Sequence, residues 1–313
     1  MEGSNGANGA SEVDARGALG GLGTQNGRGE SAVKEVTTSN SRGCSFYKDA
    51  PENIVAKMTA EKDSWYYNMN HKKRGMAIIF NHENFTNPKL KSRCGTKTDC
   101  LNLESTLRSL RFEVHSFFDA DFAKVNSVIN DASKVDHSDH DCFVMAVLSH
   151  GEQNIIHAYD CPYQPENLWH PFTADKCPSL AGKPKLFFIQ ACQGDKLDPG
   201  VTLARRTETD SGPMTYRIPV HADFLIAYST IPGFYSWRNT QRGSWFMQAL
   251  CEELKKHCYS LDLLTILTFV NRRVATDYQS NVPGNNEMDA QKQIPCITFM
   301  LTRLLKFEPK LDS

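Results

Sequence analysis

Two short apolar runs, residues 142–148 (CFVMAVL) and 185–189 (KLFFI), constrain this chain more than any other feature. Each has the length of a buried strand, and each stops at polar residues. The first runs into Ser149-His150-Gly151 and the second into Gln190-Ala191-Cys192-Gln193-Gly194. Strands that are apolar throughout need cover on both faces, as in parallel sheets flanked by helices. In open sheets of that kind, ligand crevices form outside the carboxyl ends of the strands. A histidine and a cysteine are therefore predicted to leave core strands at the end where chemistry is done.

The rest of the chain keeps the same rhythm. Residues 75–80, 112–118, 223–229 and 295–307 read as further strands. Residues 98–110, opened by Asp99, and residues 120–135, 243–258 and 261–277 read as helices, with a shorter one predicted over 172–180. Strands alternating with helices imply an α/β sheet covered on both faces. Residues 1–45 hold ten of the twenty glycines and no aromatic residue. Such a segment buries too little apolar surface to offset its ordering entropy, so a disordered leader is expected. Two polar stretches, 193–220 and 279–293, are expected to be exposed, mobile loops, and a loop as long as the first is usually functional or disordered.

Composition excludes several classes of function. The formal net charge of −1 argues against a nucleic-acid partner. No run approaches the ~18 apolar residues of a membrane span, and the N-terminus lacks a secretory layout. A soluble, cytoplasmic protein is expected. Its ten cysteines then read as reduced thiols, not a disulfide framework. No C-x-x-C pair is present. The pair His137 and His140, flanked by Asp136, Asp139 and Asp141, reads as a solvated turn, not a metal site. No cofactor is expected.

Cysteine attacks a carbonyl as thiolate, and its free pKa is about 8.5. A neighbouring imidazole can take that proton and later return it to a leaving amine. The tetrahedral intermediate needs fixed donors at its oxyanion, and Gly151 allows substrate to approach closely. Cys192 and His150 thus form a candidate nucleophile and acid/base. A cysteine phosphatase would need arginine six positions after Cys192, where Asp198 stands.

The sequence Gln190-Ala191-Cys192-Gln193-Gly194, with its histidine some way upstream, is a recognised caspase signature. Over residues 70–307 the chain resembles an effector caspase, an endopeptidase that cuts after aspartate. Further matches are Arg93-Cys94-Gly95-Thr96, Ser149-His150-Gly151-Glu152, Tyr235-Ser236-Trp237-Arg238-Asn239 and Gly243-Ser244-Trp245. The resemblance implies a three-layer sandwich around a six-stranded, mostly parallel sheet. It makes Cys192 the nucleophile, His150 the acid/base, and the N–H groups of Gly151 and Cys192 the oxyanion hole. Arg93, Gln190 and Arg238 would line the S1 pocket. Tyr235 and Trp237 would wall S2, while Asn239 and Trp245 would shape S4. Two guanidinium forks around one carboxylate suit that pocket physically. They also oppose a relative that cuts after basic residues.

Thr207-Glu208-Thr209-Asp210-Ser211-Gly212 is the expected processing site. It divides a large subunit, residues 46–210, from a small one, residues 211–313. A second processing site is read at Asp14, in Ser11-Glu12-Val13-Asp14-Ala15. The short leader points to an executioner made as a zymogen and cut by an upstream initiator caspase. The expected partners are protein substrates with aspartate at P1, a second copy in a homodimer, and inhibitor-of-apoptosis proteins as candidate binders. The apolar last strand would offer the dimer edge. The 279–293 loop carries no aromatic residue, unlike that of many effector caspases.

Overall fold

Six apolar runs pair into one sheet in the computed structural model, which describes residues 11–13, 56, 58–200, 219–282 and 284–310. In chain order the strands are β1 (Ser11–Val13), β2 (Met76–Asn81), β3 (Glu113–Phe118), β4 (Phe143–Leu148), β5 (Gly151–Glu152) and β6 (Ile155–His157). They continue with β7 (Pro162–Tyr163), β8 (Lys185–Gln190), β9 (Phe224–Tyr228), β10 (Trp237–Asn239), β11 (Gly243–Ser244) and β12 (Cys296–Phe299). The helices are α1 (Thr96–Ser109), α2 (Phe122–Ser133), α3 (Glu166–Trp169), α4 (Trp245–His257) and α5 (Leu263–Asp277).

The central sheet has the order β12-β9-β8-β4-β2-β3. All pairs are parallel except β12 with β9. Successive strand residues point to opposite faces, and both faces are covered. Ile79, Ala146, Phe188 and Ala227 pack with α1, α4 and α5. Ile78, Met145, Phe187 and Ile226 pack with α2 and the segment around Leu168 and Phe172. Fully burying a side chain such as Phe187 contributes roughly 1.5–3 kcal/mol. The expected three-layer α/β sandwich is present. Among the described residues, no helix is long and apolar enough to cross a membrane.

Helix starts follow local chemistry where a side chain is placed to supply it. Asp121 accepts from Lys124 N at 2.7 Å to open α2. Asp262 accepts from Leu264 N at 3.0 Å to open α5, satisfying donors that have no partner within the helix. Helix α1 begins earlier than predicted, at Thr96, behind Gly95 in the left-handed region (φ 89). Asp99 does not cap that helix; its carboxylate is spent on Ser244 instead.

Other expectations need correction. The helix predicted over 172–180 does not form. The chain makes short α3 and two 3-10 turns, His170–Phe172 and Pro178–Leu180, because Pro171 and Pro178 each lack the N–H that a longer helix needs. Residues 151–163, for which no strand is predicted, carry a second sheet, β5-β6-β7. The final strand ends at Phe299, not residue 307, since later backbone groups bond elsewhere: Leu304 N donates to Trp65 O, and Leu305 O accepts from Leu263 N. His137 and His140 are not solvated. Both are buried, their Nδ1 atoms lie 2.9 Å apart, and Lys183 Nζ closes the turn by donating to both carbonyls. The 279–293 loop is tied at its base, with Ser280 N donating to Gln291 O and Ala290 N to Ser280 O.

The leader also departs from expectation at one place. Ser11–Val13 pairs antiparallel with β10, giving the third sheet, β1-β10-β11. The free edge of β10 is a row of donors and acceptors that an extended segment can complete. Asp14 and Asp210, the two read processing sites, lie outside the described residues.

Candidate active site

Parallel register brings the two predicted residues to one level. β4 and β8 are adjacent, with Leu148 paired to Gln190, and Ser149 N donates to Gln190 O at 3.0 Å. His150 stands two residues past Leu148, and Cys192 two past Gln190, so they leave neighbouring strands side by side. A Cβ at Gly151 would sit 2.7 Å from Cys192 O and 2.9 Å from Ala191 Cβ. Only glycine permits the two exit backbones to lie this close.

Each member is held by its surroundings. Ser236 N donates to Cys192 Sγ at 3.1 Å. His150 Nε2 donates to the carbonyl oxygen of Lys91 at 2.7 Å, and its ring packs on Phe85 at 4.9 Å between centroids. A carbonyl only accepts, so that contact puts the proton on Nε2 and makes Nδ1 the basic nitrogen. Sequence reading missed Lys91, because the group that acts is backbone and no residue type announces it. The other described cysteines are free thiols, and burial pushes those of Cys100 and Cys251 up to about 11. Such thiols are chemically quiet.

The residues predicted for an anion pocket converge beside the cysteine. Arg93, Gln190, Ser236 and Arg238 are all buried. Arg93 Nη1 donates to His82 O at 3.0 Å and Thr96 Oγ1 at 2.7 Å. Gln190 Nε2 donates to Ser236 Oγ at 2.8 Å. Arg238 Nε donates to Cys94 O at 2.9 Å, which ties β10 to the loop carrying Arg93. Both guanidinium groups act electrostatically on Asp99.

Asp99 fixes the β10–β11 hairpin. Its carboxylate accepts from Ser244 N at 2.8 Å and Ser244 Oγ at 2.6 Å. Burial pushes its carboxyl up to about 7, against the lowering effect of those hydrogen bonds and of Arg93 and Arg238. The sequence placed this aspartate at a helix start and gave no sign that it reaches 145 positions along the chain.

The aromatic residues divide between wall and core. Trp237 stacks on Trp245 at 5.8 Å, and Trp245 stacks on Tyr278 at 5.5 Å. Trp237 N donates to Gln293 Oε1 at 2.6 Å, so the 279–293 loop ends on the site itself. Tyr235 is only half-buried; burial first, then Cys192 and Asp195, raise its phenol pKa. Asn239 Oδ1 accepts from Gln241 N and Arg242 N, each at 2.9 Å, and so closes the hairpin turn. The cysteine loop is laced to this wall: Gln193 N donates to Phe234 O and Tyr235 N to Lys196 O, both at 3.0 Å.

Comparisons with known proteins identify the family. The family model described as the caspase domain matches residues 74–306. Caspase-1 of Spodoptera frugiperda is 60% identical over 259 residues, covering 82% of this chain and 86% of the relative. Caspase drICE of Drosophila melanogaster is 56% identical over 284 residues, covering 90% and 83%. Caspase-3 of Bos taurus is 46% identical over 246 residues, covering 77% and 87%. The crystal structure of Caspase-1 from Spodoptera frugiperda matches with a TM-score of 0.78 at 57% identity, over 83% of this chain and 100% of that one. With the fold, the strand-exit cysteine and histidine and the buried arginines in hand, the chain belongs to the caspase family and is an executioner-type, aspartate-specific cysteine endopeptidase.

Proposed function

We propose that Cys192 is the nucleophile and that His150 takes its proton and returns it to the leaving amine. The observation that carries this reading is the register of β4 on β8, which sets both residues beside Gly151 at the sheet's reactive end. The N–H groups of Gly151 and Cys192 serve the oxyanion. Arg93, Gln190 and Arg238 grip the P1 carboxylate through charge-assisted hydrogen bonds. A substrate bringing an amide leaves those cations uncompensated, so discrimination of about 10⁴-fold is expected. Tyr235 and Trp237 border S2. Trp245 and Asn239 support S4 from behind, through the stack on Trp237 and the hairpin turn.

The zymogen is divided after Asp210 into residues 46–210 and 211–313, cut there by an upstream initiator caspase. The enzyme works in the cytoplasm on proteins with aspartate at P1, as a homodimer joined along β12. Inhibitor-of-apoptosis proteins are candidate binders of the same groove. Cleavage after Asp210 converts the zymogen to the active enzyme, although the intact chain already holds Gln193 and Gly194 against Gly233 and Phe234. Full activity from an uncut Asp210→Ala chain would count against that step.

The deciding experiment compares fluorogenic peptides ending in aspartate and asparagine, with wild type and Cys192→Ala. Turnover of the aspartate peptide alone, lost in the variant, is the expected result. Equal turnover of both peptides removes the pocket assignment, and an active variant removes the nucleophile.

A further inference from the structure

Gln293 is buried, and both ends of its amide bond to backbone. Its Oε1 accepts from Trp237 N at 2.6 Å, and its Nε2 donates to Ser229 O at 2.7 Å. A glutamine amide carries an acceptor and a donor on one planar head, so it serves both groups at once. Those two groups stand at the ends of a single loop. Ser229 follows β9, and Trp237 opens β10.

Each end reaches the residues of the candidate site. Ser229 holds Ala191, the residue before Cys192. Its hydroxyl accepts from Ala191 N at 3.3 Å and donates to Ala191 O at 3.0 Å, while its N–H donates to Ile189 O at 2.9 Å. At the other end, Trp237 lies between Arg238 and Ser236, whose N–H donates to Cys192 Sγ at 3.1 Å. The adjacent Lys292 N donates to Asp198 O at 2.9 Å, so the same segment also grips the chain that leaves Cys192.

We propose that Gln293 is a positioning residue for peptide cleavage: its amide sets the spacing between the backbone that presents Cys192 and the strand that presents Arg238. The inference rests on the roles proposed above for those two residues. Gln293 acts only through Ser229 and Trp237. Its loss leaves a buried N–H and a buried carbonyl without partners, and the loop between them shifts to find others. A shift near 1 Å at a group that grips substrate costs about 10²-fold in rate.

Glutamate at this position makes the test specific. Ionised, it still accepts from Trp237 N but has no hydrogen for Ser229 O. Protonated, it regains an O–H donor and copies the amide. Burial raises the pKa of such a carboxyl, and the ammonium of the neighbouring Lys292 is engaged by Tyr278 O at 2.6 Å.

The experiment measures kcat/KM on the aspartate-ending peptide between about pH 5.5 and 8. It compares wild type, Gln293→Ala, Gln293→Glu and Cys192→Ala, with the cleavage state of each matched by intact-mass spectrometry. Dividing by wild type at each pH removes the titration of Cys192 and His150 themselves. Gln293→Ala should lose about tenfold or more at every pH, with its far-ultraviolet spectrum retained. Gln293→Glu should match that loss at the alkaline end and recover to within about threefold of wild type at the acid end. Gln293→Ala within about twofold of wild type overturns the proposal. A Gln293→Glu ratio that stays flat with pH overturns it too, as does loss of activity together with the folded spectrum. Turnover that survives in Cys192→Ala removes the nucleophile assignment itself, and the proposal with it.

Discussion

His150 Nε2 lies 2.7 Å from the carbonyl oxygen of Lys91, a backbone group on a loop 59 positions upstream. The contact orients the imidazole and sets its tautomer, the task a carboxylate performs in Ser-His-Asp triads. Because the acceptor is main chain, Lys91→Ala should keep kcat within about twofold, whereas His150→Gln should lose about 10³-fold or more. Steady-state kinetics on the aspartate peptide will check this. A large loss from Lys91→Ala would mean that the side chain, not the carbonyl, matters.

Gly243 and Asp99 form the second relationship with a direct consequence. A Cβ at Gly243 would meet Asp99 Oδ1 at 2.2 Å, and the residue has φ 93. Gly243→Ala must push the hairpin that carries Arg238 away from Asp99. With Arg238 gripping substrate as proposed, a displacement near 1 Å costs about 10²-fold in kcat/KM. Gly243→Ala and Asp99→Ala should each show such a loss, with the far-ultraviolet spectrum retained. Unchanged kcat/KM in both variants would dissociate the hairpin from substrate binding.

Stability should fall in mild acid. Burial, with Arg93 nearby, holds the His82 imidazole down to about 4, and burial holds His137 down to about 4. Both are neutral in the folded protein and titrate near 6.5 when unfolded. A histidine depressed in this way stabilises the fold above about pH 6.5, and the contribution is lost as pH falls toward 4. Each shift corresponds to about 3 kcal/mol. Asp99 works in the opposite sense. Its raised pKa favours the fold below about 4, and that gain is lost as pH rises through about 7. Urea midpoints between pH 7 and 4.5 should drop for wild type and drop less for His82→Asn and His137→Asn.

Strand β12 is an edge of the central sheet, and Phe299 and Met300 at its end are exposed apolar residues. An uncovered edge of that composition pairs readily with another copy. Phe299→Pro removes a backbone donor that faces this open edge and should weaken pairing along it. Sedimentation velocity should then show monomers in place of the proposed dimer. A dimeric Phe299→Pro protein would place the interface elsewhere.

The candidate cysteine and histidine were legible because each follows a run that is apolar for its whole length, and such runs read locally. Arg93, Gln190 and Arg238 were legible only through the motifs around them, since an isolated arginine does not reveal its partner. The failed helix over 172–180 shows the limit of pattern reading, for Pro171 and Pro178 break it into 3-10 turns. His137 and His140 show another limit. Their aspartate-rich flanks read as a surface turn, yet Lys183, 43 positions from His140, closes that turn from inside the protein.

By itself the sequence determined the α/β class, most strands of the central sheet and the candidate reacting residues, because short-range apolar periodicity and residue chemistry decide those. The tertiary structure alone decided that Lys91 orients His150, that Asp99 clamps the Arg238 hairpin and that Ser11–Val13 lies along β10. Each of those contacts joins distant segments through backbone or buried polar groups. Hydrogen bonds of that kind depend on where folding brings the chain together, and residue order does not encode them locally.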